Sequence, residues 1–99
     1  MSTFESTKES TNIKTREPKQ YNVIMLNDDF TTMEFVVSVL MDIFKKDSAT
    51  ANQLMMFVHK NGRAVVGTYP YDIAFTKTTK ALERAKAEGF PFRMTIEEA

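Results

Sequence analysis

Val23-Ile24-Met25-Leu26-Asn27-Asp28-Asp29-Phe30-Thr31-Thr32-Met33-Glu34-Phe35 holds a strand, a polar turn and a helix start in one short run. The apolar residues Val23 to Leu26 extend a strand expected over Tyr21 to Leu26. Thr31 reads as a helix N-cap, because Glu34 follows at the spacing of a capping box. Phe30 and Phe35 stand at the spacing of a hydrophobic staple. Between strand and helix, Asn27, Asp28 and Asp29 crowd acceptor groups into one turn. Such a cluster suits a cation: a metal, a lysine or arginine, or an ammonium group. It also has a plain structural use, since Asn and Asp side chains bond nearby backbone in strand-to-helix turns.

Working outward, the helical pattern runs to about Lys46, with Val36, Val39, Leu40, Ile43 and Phe44 on one face. Asp47 or Ser48 caps a second helix with the stripe Ala51, Leu54, Met55 and Val58, and Asn61-Gly62 stops it. Ala64-Val65-Val66 reads as a short strand that Gly67 weakens. Pro70 suits the first turn of a third helix carrying Ile73, Ala74, Leu82 and Ala85, with Gly89 as its stop. Last, Phe90, Phe92, Met94 and Ile96 alternate with Pro91, Arg93, Thr95 and Glu97, a strand with one buried face. Pro91 assigns it to a sheet edge or to the strand's first residues. The expected order is β-α-α-β-α-β. That predicts an α+β fold, a small two-layer domain with a three-stranded antiparallel sheet packed against three helices.

Ninety-nine residues allow one small domain, and a hydrophobic share of 42% is that of a globular chain. Thirteen basic residues balance thirteen acidic ones, which argues against a nucleic-acid binder. No apolar run approaches the ~20 residues of a membrane span, and the N-terminus carries no apolar secretory core. With no cysteine, disulfide and thiolate chemistry are excluded, which fits a reducing cytosol. Residues 1–19 alternate Ser and Thr with Lys and Glu and read as a disordered N-terminal arm. The folded domain is expected over 20–99, with Pro18 at the junction.

His59 is the chain's one histidine. It follows Met55 by four residues, so both occupy one side of the second helix, near the boundary of core and solvent. Met33 lies in the first helical turn beside the acceptor cluster. An apolar pocket lined by Met33 and Met55 would therefore adjoin Asn27-Asp28-Asp29. Oxygen ligands there would suit magnesium or calcium. The run lacks the alternating acidic ladder and glycine of a calcium loop, and no nucleophile or phosphate loop accompanies it. Neither a metal nor a cofactor is expected.

Asn27-Asp28-Asp29-Phe30-Thr31, then Met33-Glu34-Phe35-Val36, then Gln53-Leu54-Met55 and Val58-His59, resembles the ClpS family, bacterial adaptors of AAA+ Clp proteases. The likeness covers about residues 20 to 98 in order. It implies a cytoplasmic, non-enzymatic binding module that takes the N-terminal Leu, Phe, Tyr or Trp of N-degron substrates. The partner it implies is the ClpA-type AAA+ unfoldase of ClpAP. By the same resemblance Asn27, Asp28 and His59 hold the substrate's α-amino group, and Thr31 and Asp29 meet the peptide backbone. Met33, Val36, Met55, Val58 and Phe92 line the side-chain pocket, with Met33 gating against β-branched residues. Asp72 and Lys77 fall on the surface that meets the unfoldase.

The chain departs from the family pattern at Thr32, where Pro is usual, and at Asp72, where Glu is common. Phe92 stands where many relatives have Leu near the pocket floor, which implies a shallower pocket and weaker acceptance of Trp. A monomer is the simplest state. Two other readings compete. One is an interaction domain like the C-terminal domain of the ribosomal stalk protein, which has no need of the Asn-Asp-Asp turn with His59. The other is a metal-dependent enzyme using Asp28, Asp29 and His59.

Overall fold

The computed structural model describes residues 18–99, so residues 1–17 of the expected arm lie outside the described residues. The elements are β1 (Gln20–Leu26), α1 (Met33–Asp42), α2 (Ser48–Asn61), β2 (Arg63–Pro70), α3 (Tyr71–Glu88) and β3 (Arg93–Glu98). This is the expected β-α-α-β-α-β order. β1 lies between β2 and β3 and pairs antiparallel with both.

Val23, Ile24 and Met25 of β1 are all inaccessible or nearly so. Val23 and Met25 join Ala64, Val66 and Met94 in the core beneath the helices. Alternation sends Ile24 to the other face, where Val65 and Thr95 are its ladder partners. Val23 pairs with Gly67 but Ile24 pairs with Val65, so Val66 is the extra residue of a β-bulge. β2 is longer than expected. It runs through Gly67 to Pro70, and the Tyr69 ring lies over Gly67 where a Cβ would otherwise sit, so the position needs glycine. Pro70 is accordingly the N-cap residue of α3 and not part of its first turn.

The helices close the core with Phe35, Val39 and Leu40 of α1, and with Ala51, Met55 and Val58 of α2. α3 turns Ala74, Thr78, Ala81 and Ala85 inward. Those side chains are small, so the helix can lie close to the sheet. Ile73, expected on that face, is instead exposed. Asp47 caps α2, its side chain accepting from the Thr50 N–H, and left-handed Gly62 ends it, both as expected.

α1 differs from expectation at both ends. Its N-cap is Thr32, whose hydroxyl accepts from the Phe35 N–H at 3.2 Å. Thr31 is outside the helix, Glu34 is one position too early for a capping box, and Phe30 is 76% exposed, so no staple forms. At the other end the helix stops at Asp42, short of the expected Lys46. Lys45 adopts φ 60°, and the Lys46 N–H donates to the Leu40 carbonyl across it. Ile43 and Phe44 remain buried although they follow the helix. β3 likewise begins at Arg93, so Phe90 and Phe92 pack on the core from the preceding loop. It is an edge strand, and Pro91 lies in the loop before it.

Candidate functional site

Asp28 organises the turn between β1 and α1. Its Oδ1 accepts from the N–H groups of Phe30, at 2.8 Å, and Thr31, at 2.7 Å. Its Oδ2 accepts from the Thr31 hydroxyl at 2.7 Å. One residue earlier, the Asn27 N–H donates to the Gly62 carbonyl at 2.9 Å, which ties the turn to the end of α2. Thr31 thus serves Asp28 and not the helix, and Thr32 takes the capping role by default.

The Asp28 carboxyl lies below its ordinary value of 3.8. Burial pushes it up, but the Thr31 N–H and hydroxyl, the Phe30 N–H and the positive charge of Arg93 outweigh that. A depressed folded value means the carboxylate's contribution is fully present above about pH 3.8 and is lost as pH falls through the lower value. An acid titration followed at the Thr31 amide resonance is therefore expected to show the turn intact down to that pH and opening only below it.

A cavity of about 200 Å³ opens beside this turn. Its polar side is Asn27, Asp28, Asp29, Thr31 and His59, and its apolar side is Leu26, Met33, Val36, Met55, Val58 and Phe92. The spacing on α1 puts Met33 and Val36 on one side, and that on α2 puts Met55, Val58 and His59 on the other. Phe92 is buried from below, edge-on to Phe35 with centroids 5.5 Å apart, and Phe35 also packs on Phe90. Met55 is only 9% exposed and forms a fixed wall, whereas Met33 is 46% exposed and forms a lip. At this volume the space suits one side chain and a small polar head group, not a drug-sized ligand.

All the residues expected for α-amino, backbone and side-chain contacts line this one cavity. Leu26 was not among the expected residues. Its one sequence signal is its place as the last strand residue before the turn. Asp72 and Lys77 lie elsewhere, on α3. Asp72 is exposed in the first turn, and the Lys77 ammonium donates to the Ile43 carbonyl at 2.8 Å, near the rings of Tyr69 and Phe44. Among the described residues no group of three or more acidic or histidine side chains converges to hold a metal, and no helix is long and apolar enough to cross a membrane.

A family model described as ATP-dependent Clp protease adaptor protein ClpS matches residues 16–95. Proteins from Burkholderia cenocepacia and Burkholderia mallei, each described as ATP-dependent Clp protease adapter protein ClpS, are 49% identical over 86 residues, covering 87% of this chain and 83% of their own length. The solved structure of Agrobacterium tumefaciens ClpS2 bound to L-phenylalaninamide is 42% identical and superimposes with a TM-score of 0.81, covering 84% of this chain and 100% of that one. The strand order and helix placement carry that likeness, and so does the sequence across nearly the whole described domain. The chain therefore belongs to the ClpS family of Clp protease adaptors and is an adaptor, not an enzyme.

Proposed function

We propose that the cavity receives the first residue of an N-degron substrate, chiefly Leu, Phe, Tyr or Trp, for delivery to a ClpA-type unfoldase. The observation that carries this reading is the lining itself: carboxylate, amide and imidazole groups on one side and apolar side chains on the other. An α-ammonium brings one positive charge and three donors. Asn27, Asp28 and His59 offer a side-chain oxygen, an anionic oxygen and a ring nitrogen to meet them. An internal peptide residue has no ammonium, so the polar side selects a chain end.

The apolar side then reads the first side chain, whose burial contributes ~25 cal/mol per Å². Thr31 donates its hydroxyl proton to Asp28, which leaves its oxygen as an acceptor for the N–H of the peptide's next residue. Asp29 takes the same role from the loop. Phe92 makes the floor bulky, which disfavours Trp. The Agrobacterium relative's phenylalaninamide has this make-up, an apolar side chain with a free ammonium and an amide, and supports the reading. Asp72 and Lys77 are assigned to unfoldase docking.

The test is degradation of a reporter beginning in Leu by ClpAP with and without this chain. Turnover is expected to depend on the chain, and to disappear for the same reporter with its amino group blocked. Equal turnover of blocked and free reporters would contradict the reading.

A further inference from the structure

Another cavity, of about 220 Å³, lies where the end of α1 meets α3, and it shares no lining residue with the peptide cavity. Its walls are Asp42, Ile43, Lys45, Lys77, Lys80 and Arg84, four cations against one carboxylate. In a chain of zero formal net charge this is a local concentration, not a generally basic surface. The acceptors in the wall are already engaged. Asp42 Oδ2 accepts from Arg84 Nη1 at 2.9 Å, and the Ile43 carbonyl accepts from Lys77 Nζ at 2.8 Å.

The cations are held together against their mutual repulsion. Burial lowers the Lys77 pKa first, and the charges of Lys45 and Lys80 lower it further. Lys45 lines the cavity from the left-handed turn, φ 60°, that follows the end of α1.

We propose that this cavity is an anion site for a small phosphorylated ligand of the pyrophosphate class. A planar carboxylate pairs best with a guanidinium, and that of Arg84 already pairs with Asp42 through Nη1. The three ammonium groups are compact point charges with rotatable donors, which suit the non-planar oxygens of linked phosphates. A pyrophosphate would neutralise the crowding and find donors that the wall's own acceptors leave unused. The site stands independently of the peptide cavity. It would, however, draw on Lys77, the residue assigned above to docking.

The test is calorimetric titration of the full chain with inorganic pyrophosphate, with amide resonances followed in parallel. The expected result is saturable 1:1 binding, with shifts at 42–46 and 77–84 and none at 27–35. The double variant Lys45→Gln/Lys80→Gln changes two exposed side chains outside the core, and its retained binding of a Leu-initiated peptide would report an intact fold. It is expected to weaken pyrophosphate binding roughly tenfold or more. Absence of saturable binding, shifts spread over lysines throughout the chain, or an unchanged affinity in the double variant would overturn the proposal. So would binding of a Glu-rich peptide at these amides when pyrophosphate does not bind, since the surface would then be a protein-docking one.

Discussion

Asp28→Ala is expected to weaken binding of a Leu-initiated peptide roughly a hundredfold, about 3 kcal/mol. The residue has two tasks that one deletion removes together. Its carboxylate closes the turn by accepting from two backbone N–H groups and the Thr31 hydroxyl. It is also the anion proposed to face the substrate ammonium, a charge-assisted bond stronger than a neutral one. Loss of the turn bonds alone resembles loss of a helix cap, about 1 kcal/mol of stability.

Asp28→Asn separates the tasks. The amide oxygen can keep both backbone N–H partners, and the Thr31 hydroxyl can turn to accept from the amide nitrogen. Thermal stability should then stay within about 0.5 kcal/mol of the parent, while peptide affinity falls about tenfold. An Asn variant that binds as tightly as the parent would mean that the charge of Asp28 has no part in recognition.

Met33→Ala is expected to raise the affinity for Ile- and Val-initiated peptides relative to Leu by about tenfold, roughly 1.4 kcal/mol. A β-branched residue carries two heavy atoms on Cβ and has little freedom at χ1. Its extra branch would meet the cavity lip, while Leu branches one atom deeper. Met33 opens α1 and is 46% exposed, so truncating it removes the lip with little loss of core. Met55 is a buried wall, so the same change there would damage the cavity itself. The comparison needs matched peptides differing only in the first residue. An Ile-to-Leu affinity ratio unchanged by Met33→Ala would remove Met33 from the specificity mechanism.

The parts of this fold legible in the sequence are those with local, unopposed signals. α2 has an Asp cap, an apolar stripe and a glycine that must take positive φ, and its limits agree with all three. The limits of α1 were less legible because its signals compete. Thr31 and Thr32 offer the same capping group, and the choice is made by Asp28, which takes the Thr31 hydroxyl for itself. At the far end Ile43 and Phe44 continue a helical apolar pattern, yet they are buried by a loop folding onto the core. Gly67 signals a strand end, but β2 passes through it, beside a bulge and under the Tyr69 ring that takes the place of a Cβ.

The candidate site was more legible than these boundaries. The turn residues, the α1 and α2 faces and Phe92 all converge on one cavity, because sequence spacing on rigid elements fixes which side chains share a face. The part each plays toward a peptide came from the family resemblance, since acceptors in a turn suit several cations equally well. Leu26 is not legible as a site residue, because a strand's last apolar residue has no pattern of its own. The cationic cavity is not legible in the sequence either. Its lining joins the end of α1 and the turn after it to α3, residues far apart in the chain.

The central claim is that the polar side of the peptide cavity reads a free α-ammonium. Fluorescence anisotropy tests it most directly, with one labelled peptide beginning in Leu, the same peptide N-acetylated, and a third beginning in Ile. Acetylation removes the positive charge and the ammonium's donors while leaving the side chain unchanged. Tight binding of the free Leu peptide is predicted, with the acetylated peptide at least about a hundredfold weaker and the Ile peptide weak as well. Equal binding of the free and acetylated Leu peptides would contradict the claim and leave the Asn27-Asp28-Asp29 turn a structural feature.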